Sequence, residues 1–358
     1  MSRRIIVKRL WEFAAAGLLA LLVIPIAPLH SQERPTDETP PAAGAAAATS
    51  ESPSTAAPAV GDEQARPGPA GQGPGGKGAG KKGPAGKGPA AKGSRPRDQE
   101  PSWLMPPVEG PNLHYKTFDS KTAGEKVSYL IYLPPDYEKA TDQRYPVVYW
   151  LHGIGGSQQG VPTMTQNLTQ AIADGKAPPM IMVFVNGMIR SGWSDSQYPV
   201  ETVAIKELIP HVDATYRTRA TREGRMVEGF SMGGSGAAKW GLKYPDLFGS
   251  ISVLDGAMRT SEDGNDPWTL AEKNAAAIKD RTPMRIVTRT TGLAGANERF
   301  HEQLEGLGVP HEFHKIPDAP HSPNPLYAGL GDKNWEFYKK AFSRADAEKK
   351  AEPAGTAE

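Results

Sequence analysis

Two unbroken apolar runs constrain the fold of this chain more than any other feature. Val147-Val148-Tyr149-Trp150-Leu151 and Met180-Ile181-Met182-Val183-Phe184-Val185 are too short for core helices and show no alternation of apolar with polar residues. A strand with that pattern is covered on both faces, as when crossover helices pack above and below a parallel sheet. Strand patterns occupy 113–118, 127–133, 145–151, 180–185, 225–230, 250–254, 284–287 and 311–316. The first two are separated by a short polar turn containing Gly124, which predicts an antiparallel hairpin. From residue 145 onward the spacings suit crossover helices and a right-handed, mostly parallel sheet. Helical patterns cover 235–243, 297–307 and 333–343, with a fourth over 201–216 interrupted by Pro210. The class is α/β, a mostly parallel central sheet with helices on both faces.

Composition limits this architecture to one part of the 358 residues. Residues 33 to about 100 are dominated by Pro, Ala, Gly, Ser and Lys. Such a stretch cannot bury enough apolar surface to offset the entropy of ordering its backbone. Arg3, Arg4, Lys8 and Arg9, followed by an apolar run over 13–27 and then Pro28 and Leu29-His30-Ser31, read as an export signal. An uncleaved anchor is the competing reading, although the run is short for a membrane span. The expected organisation is a signal at 1–31, a disordered linker at 32–102, a folded domain at 103–343 and a disordered tail at 344–358. Export places the protein in the periplasm or outside the cell. The linker carries Lys77, Lys81, Lys82, Lys87, Lys92, Arg95 and Arg97 and reads as a soluble spacer, or as a basic tether for an anionic envelope polymer. The net charge of +1 gives no reason to expect a nucleic-acid partner, and the absence of cysteine excludes disulfides and thiolate metal sites.

Chemistry is concentrated in Gly229-Phe230-Ser231-Met232-Gly233, which follows the strand at 225–230 and opens a helix. A serine on so sharp a turn needs small residues two positions before and after it, and the turn sets its hydroxyl at a helix N-terminus. Ser231 is therefore the candidate nucleophile. His152-Gly153-Ile154-Gly155-Gly156 ends the strand at 145–151, where small residues let backbone N–H groups turn inward. Acyl transfer needs two donors aimed at the tetrahedral oxyanion, here assigned to the amides of Ile154 and Met232, with His152 structural. The general base should follow the last strand, and His321 does so after the loop Pro317-Asp318-Ala319-Pro320. His301, His311 and His314 read as structural or solvated. His311 and His314 would point to opposite faces of their strand, against a metal pair. No metal or cofactor is expected.

The stretches Glu207-Leu208-Ile209-Pro210-His211-Val212-Asp213-Ala214-Thr215-Tyr216-Arg217-Thr218, Gly229 to Gly234, and Lys243-Tyr244-Pro245-Asp246-Leu247-Phe248-Gly249 resemble the putative-esterase family of α/β-hydrolases. That group includes feruloyl esterases, acetylxylan esterases, S-formylglutathione hydrolases (esterase D) and mycolyltransferases. The resemblance runs over about 113–342 and implies an α/β-hydrolase fold. It also implies Ser231 as nucleophile, His321 as base, and Ile154 with Met232 as oxyanion donors. The family's acid usually follows the strand at 284–287, but the loop Arg289-Thr290-Thr291-Gly292-Leu293-Ala294-Gly295-Ala296-Asn297 holds no carboxylate. Asp255, at the end of the preceding strand, ranks first as a replacement, Asp318 second and Glu298 third; otherwise the site runs as a Ser-His dyad.

Trp193 lies on a loop after the strand at 180–185 and reads equally as a substrate-binding wall or as packing. Asp263-Gly264-Asn265-Asp266 has calcium-like spacing but reads as a solvated loop. Trp335 and Phe337 should pack the last helix on the sheet. The expected activity is that of an exported serine esterase, a carboxylic ester hydrolase acting on a small ester or on acetyl or feruloyl esters of polysaccharides. The rival readings are acyl transfer to a sugar and a tethered, non-catalytic binding domain that has lost its acid.

Overall fold

The computed structural model describes residues 101–156, 158 and 160–351. The expected signal, and the linker up to residue 100, lie outside the described residues. Eight strands form one sheet: β1 (Leu113–Asp119), β2 (Lys126–Tyr132), β3 (Val147–Leu151), β4 (Ile181–Val185), β5 (Arg225–Phe230), β6 (Ser250–Leu254), β7 (Met284–Arg289) and β8 (Glu312–Ile316). Their order is β1-β2-β4-β3-β5-β6-β7-β8. The β1–β2 hairpin and the β2–β4 pair are antiparallel, and every later pair is parallel. All eight expected strands are present.

Successive residues of the central strands enter different cores. Val147, Tyr149 and Leu151 of β3 join one apolar cluster, and Val148 and Trp150 the other. The first cluster is closed by α4 (Met232–Lys243), α5 (Pro267–Ile278), α6 (Ala294–Gly306) and a helical segment at 200–215. The second is closed by α1 (Val161–Ala173), α7 (Pro323–Leu330) and α8 (Asp332–Ala351). Burial on both faces removes the need for alternation, which is why the two apolar runs read as they do. Phe337 joins the second cluster and Trp335 packs against it, as expected.

The segment at 200–215 consists of α2 (Val200–Thr202), a π-helical stretch (Val203–Leu208) and α3 (Ile209–Thr215). Pro210 sits in the first turn of α3. A proline ring clashes with the carbonyl four residues back, and the wider π turn just before it absorbs that clash. Helix α8 runs on to Ala351, where composition alone suggests a tail from residue 344.

One polar network crosses the second core. Glu228 of β5 and Arg285 of β7, both essentially unexposed, pair at 2.8 Å. Tyr327 and Tyr338 donate their hydroxyls to Glu228, Trp150 Nε1 donates to Tyr327, and Arg285 Nε donates to Ser252 Oγ. A buried ion pair of this kind is tolerable only when its remaining polar atoms are bonded. Here it ties the nucleophile's strand to α7, the helix that follows the His321 loop.

Candidate active site

Ser231 has φ 56 and ψ −114 at the N-cap of α4, a strained conformation that only a well-packed turn can hold. The flanking glycines are steric requirements. A Cβ on Gly229 would lie 2.1 Å from the carbonyl oxygen of Gly233, and one on Gly233 would lie 2.0 Å from that of Leu151. The turn is also fastened to the end of β6. Ser231 N donates to Leu254 O at 2.9 Å, and Ala257 N donates to Ser231 O at 2.9 Å.

Between those two contacts lie Gly256 and, next to Leu254, Asp255. Its backbone turns at φ 44, and its side chain is fully buried. His321, on the loop between β8 and α7, spans the gap between acid and serine. Its Nδ1 lies 2.6 Å from Asp255 Oδ2 and its Nε2 lies 2.9 Å from Ser231 Oγ. The Phe230 ring, 4.6 Å away between centroids, supports the imidazole. The structure thus brings together Ser231, His321 and the first-ranked carboxylate. An aligned hydroxyl, imidazole and carboxylate can deprotonate the hydroxyl for attack on a carbonyl.

Asp255 has further partners. Arg289 Nε donates to Oδ2 at 2.6 Å and Thr288 Oγ1 to Oδ1 at 3.0 Å. Burial works against ionisation, but hydrogen bonds from His321, Arg289 and Thr288 outweigh it and hold the carboxyl below the usual aspartate range. Arg289 ends β7, the strand after which the resemblance places the acid. The loop beyond folds tightly over it: Gly292 has φ 64, and a Cβ there would lie 2.4 Å from Arg289 Nη2. Sequence reasoning assigns no role to Arg289, and a cation at the position of a missing carboxylate was the available signal.

The other two acid candidates are corrected by their surroundings. Glu298 pairs with Lys315 at 2.6 Å, Asp318 is exposed, and His321 Nδ1 is already occupied by Asp255. Trp193 is also corrected as a substrate-binding residue. It is completely buried beneath the site, its Nε1 donates to His152 O, and its indole fills the space left by Gly187 and Gly236. Packing is its role. His152 is structural: Nδ1–H donates to Gly153 O at 2.8 Å and Nε2 accepts from Gly187 N at 3.1 Å. Burial pushes its pKa down to about 4, so the ring stays neutral. His301 pairs with His311 and His314 with Glu312, away from the serine. Asp266 accepts from the amides of Trp268 and Thr269 and caps α5.

The loop after β3 passes directly over the serine, where a Cβ on Gly153 would meet Ser231 Cβ at 3.3 Å. Ile154, the next residue, is 54% exposed at the mouth, and Met232 opens α4, where an amide has no acceptor within the helix. Two clefts meet at Ile154. One, about 280 Å³, is walled by Trp150, Phe230, His321 and Pro323. The other, about 630 Å³, runs past Met232, Ser235 and Lys239 to Arg259 and Ser261.

A family model described as "Putative esterase" matches residues 120–348. Esterase Rv1288 of Mycobacterium tuberculosis is 30% identical over 259 residues, covering 58% of this chain and 55% of that protein. An endo-1,4-beta-xylanase/feruloyl esterase of Xylanibacter ruminicola is 30% identical over 213 residues, covering 56% of this chain and 29% of that protein. The matched region thus spans about half or less of these curated relatives. Among solved structures, a ferulic acid esterase superposes with a TM-score of 0.58 at 23% identity, covering 64% of this chain and 98% of that one. The feruloyl esterase module from Clostridium thermocellum, complexed with sinapinate, gives 0.52 at 21% identity, covering 67% and 93%. At these identities the structural likeness carries the α/β-hydrolase fold.

Proposed function

Because the chain belongs to the esterase family, whose model matches residues 120–348, we propose that it is a serine esterase hydrolysing carboxylic esters through Ser231, His321 and Asp255. One observation carries the reading: the unbroken line of contacts from Ser231 Oγ through the His321 ring to Asp255. His321 Nε2 takes the serine proton as Oγ attacks the ester carbonyl. The amides of Ile154 and Met232 receive the charge that develops on the carbonyl oxygen. Asp255 keeps Nδ1–H oriented and balances the imidazolium. When the intermediate collapses, His321 Nε2 gives its proton to the departing alkoxide. A water, deprotonated in turn by His321, then releases the acid from Ser231.

The basic start and apolar run near the N-terminus support an exported enzyme, and the feruloyl esterase name among its relatives supports feruloyl esters of polysaccharides, of the two expected ester classes, as substrates. The non-catalytic reading rested on a missing acid, and Asp255 supplies one. The test uses the full chain: wild type and Ser231→Ala are assayed on p-nitrophenyl acetate, with a fluorophosphonate probe reporting the nucleophile. Loss of at least about a thousandfold in rate and loss of labelling are expected in the variant. Equal rates would overturn the assignment.

A further inference from the structure

Lys239 is buried at 5% exposure on the face of α4 that starts at the nucleophile. Met232, Ser235 and Lys239 follow one another at spacings of three and four, so all three look into the larger cleft. The Lys239 ammonium donates to the carbonyl of Gly192 at 2.9 Å and pairs with no carboxylate among the described residues. An ammonium has three donors, and a buried one is costly unless those donors are met.

The neighbouring acids already have partners, and Asp263 and Asp266 face Arg190, Lys239 and Arg259 across the same cleft, which leaves it one positive charge in excess. Glu201 is taken by Lys243 at 2.6 Å and by the Tyr244 hydroxyl. Asp263 accepts from Ser261 and the Asn265 amide, and Asp266 caps α5. Burial also pushes the Lys239 ammonium below the usual lysine range, outweighing the attraction of Glu201, Asp263 and Asp266 nearby. Arg259 stands exposed on the rim of the same cleft.

The two clefts divide an ester between them. His321 must protonate the leaving oxygen and lines the smaller cleft, so the alcohol departs there. The acyl group then extends the other way, past Met232 and along α4. Ser231 and Lys239 are about 12 Å apart along the helix axis. A helical side chain leans toward the N-terminus, which brings the ammonium within reach of a short acyl chain.

We infer that the larger cleft is an acyl subsite for half-esters of dicarboxylic acids, its apolar wall taking the methylene chain and the distal carboxylate bound by Lys239 at the floor and Arg259 at the rim. The inference rests on the hydrolase reading above. In the reaction, Ser231 Oγ bonds to the ester carbonyl carbon, the bond to the alkoxy oxygen breaks, and the His321 proton goes to that oxygen. The distal carboxylate takes no part in the chemistry and only holds the chain.

The test compares the 4-methylumbelliferyl half-ester of adipic acid with 4-methylumbelliferyl hexanoate, using the full-length wild type and Lys239→Met. The wild type should favour the adipate half-ester at least tenfold in kcat/KM. Lys239→Met should lower that preference at least tenfold, and Lys239→Arg should restore part of it. A wild type that prefers hexanoate, or a preference unchanged in Lys239→Met, overturns this inference and leaves the esterase reading standing. If neither ester is cleaved and the fluorophosphonate fails to label Ser231, both fall together.

Discussion

Replacing Asp255 by Asn probes the line of contacts at its buried end, where one oxygen serves two nitrogen partners. His321 Nδ1 and Arg289 Nε each lie 2.6 Å from Asp255 Oδ2. The two nitrogens are therefore within about 5 Å of each other, where unit charges repel by roughly 3 kcal/mol at an effective dielectric near 20. Ionised Asp255 cancels that repulsion when His321 takes the serine proton. Asparagine does not. The His321 side chain is 37% exposed, so solvent screening reduces the penalty to about half, equivalent to about tenfold in rate. Loss of an orienting acid costs about 10⁴ by itself. Asp255→Asn should thus lower kcat/KM on p-nitrophenyl acetate by 10⁴ to about 10⁵. Adding Arg289→Gln should recover about tenfold, because it removes the cation that the carboxylate had screened. The ratio kcat/KM is the right readout, since it reports acylation, the step in which the imidazolium forms. A double variant no faster than Asp255→Asn would refute the electrostatic role given to the acid. An Asp255→Asn protein with a tenth of the wild-type activity would refute its catalytic role altogether.

Two further outcomes concern the frame behind the site. Arg285→Met leaves Glu228 buried with two tyrosine hydroxyls and no counter-charge, and should destabilise the fold by about 3–5 kcal/mol in urea unfolding; a loss below about 1 kcal/mol would contradict the buried-pair account. His152 is held near pKa 4 against an ordinary 6.5, so the folded state refuses a proton that the unfolded chain accepts. Its share of stability is complete above about 6.5 and falls as pH drops toward 4, by about 3 kcal/mol in all. His152→Gln should flatten the dependence of the urea midpoint between pH 7 and 4.5, and an unchanged slope would rule His152 out as its source. The depressed Asp255 carboxyl adds a separate loss at lower pH, as the pH falls through its folded value.

The central strands were legible because burial on both faces leaves an apolar record that no loop imitates. The helices were less so, for a shared reason. Helices α1, α5 and α7 each carry a proline in the first turn, at Pro162, Pro267 and Pro323. A proline reads as a break in the chain, yet it is well placed where the N–H has no helical partner. Ser231 and His321 were legible from local chemistry: a steric pattern around one, and position after the last strand for the other. Trp193 was not. A tryptophan on a rim loop can turn outward or inward, and only the cavities left by Gly187 and Gly236 decide the matter. The Glu228–Arg285 network was hidden because its members lie on strands and helices far apart in sequence, and each reads singly as a charge in an apolar run.

The migration of the acid from β7 to β6 follows from how the nucleophile is held. The serine's backbone is bonded on both sides to the end of β6, through Leu254 and Ala257. A carboxylate on Asp255, the first of the two intervening residues, is therefore fixed relative to Ser231 by the same hydrogen bonds that fix the turn. The imidazole needs only an acceptor at Nδ1, in whatever strand that acceptor originates. With β6 providing it, the end of β7 is released from that duty, and there Arg289 holds the carboxylate ionised through the same oxygen that faces His321. A carboxylate restored at the β7 position would meet a site already occupied on Nδ1. It would compete with Asp255 for Arg289 before it could serve the histidine.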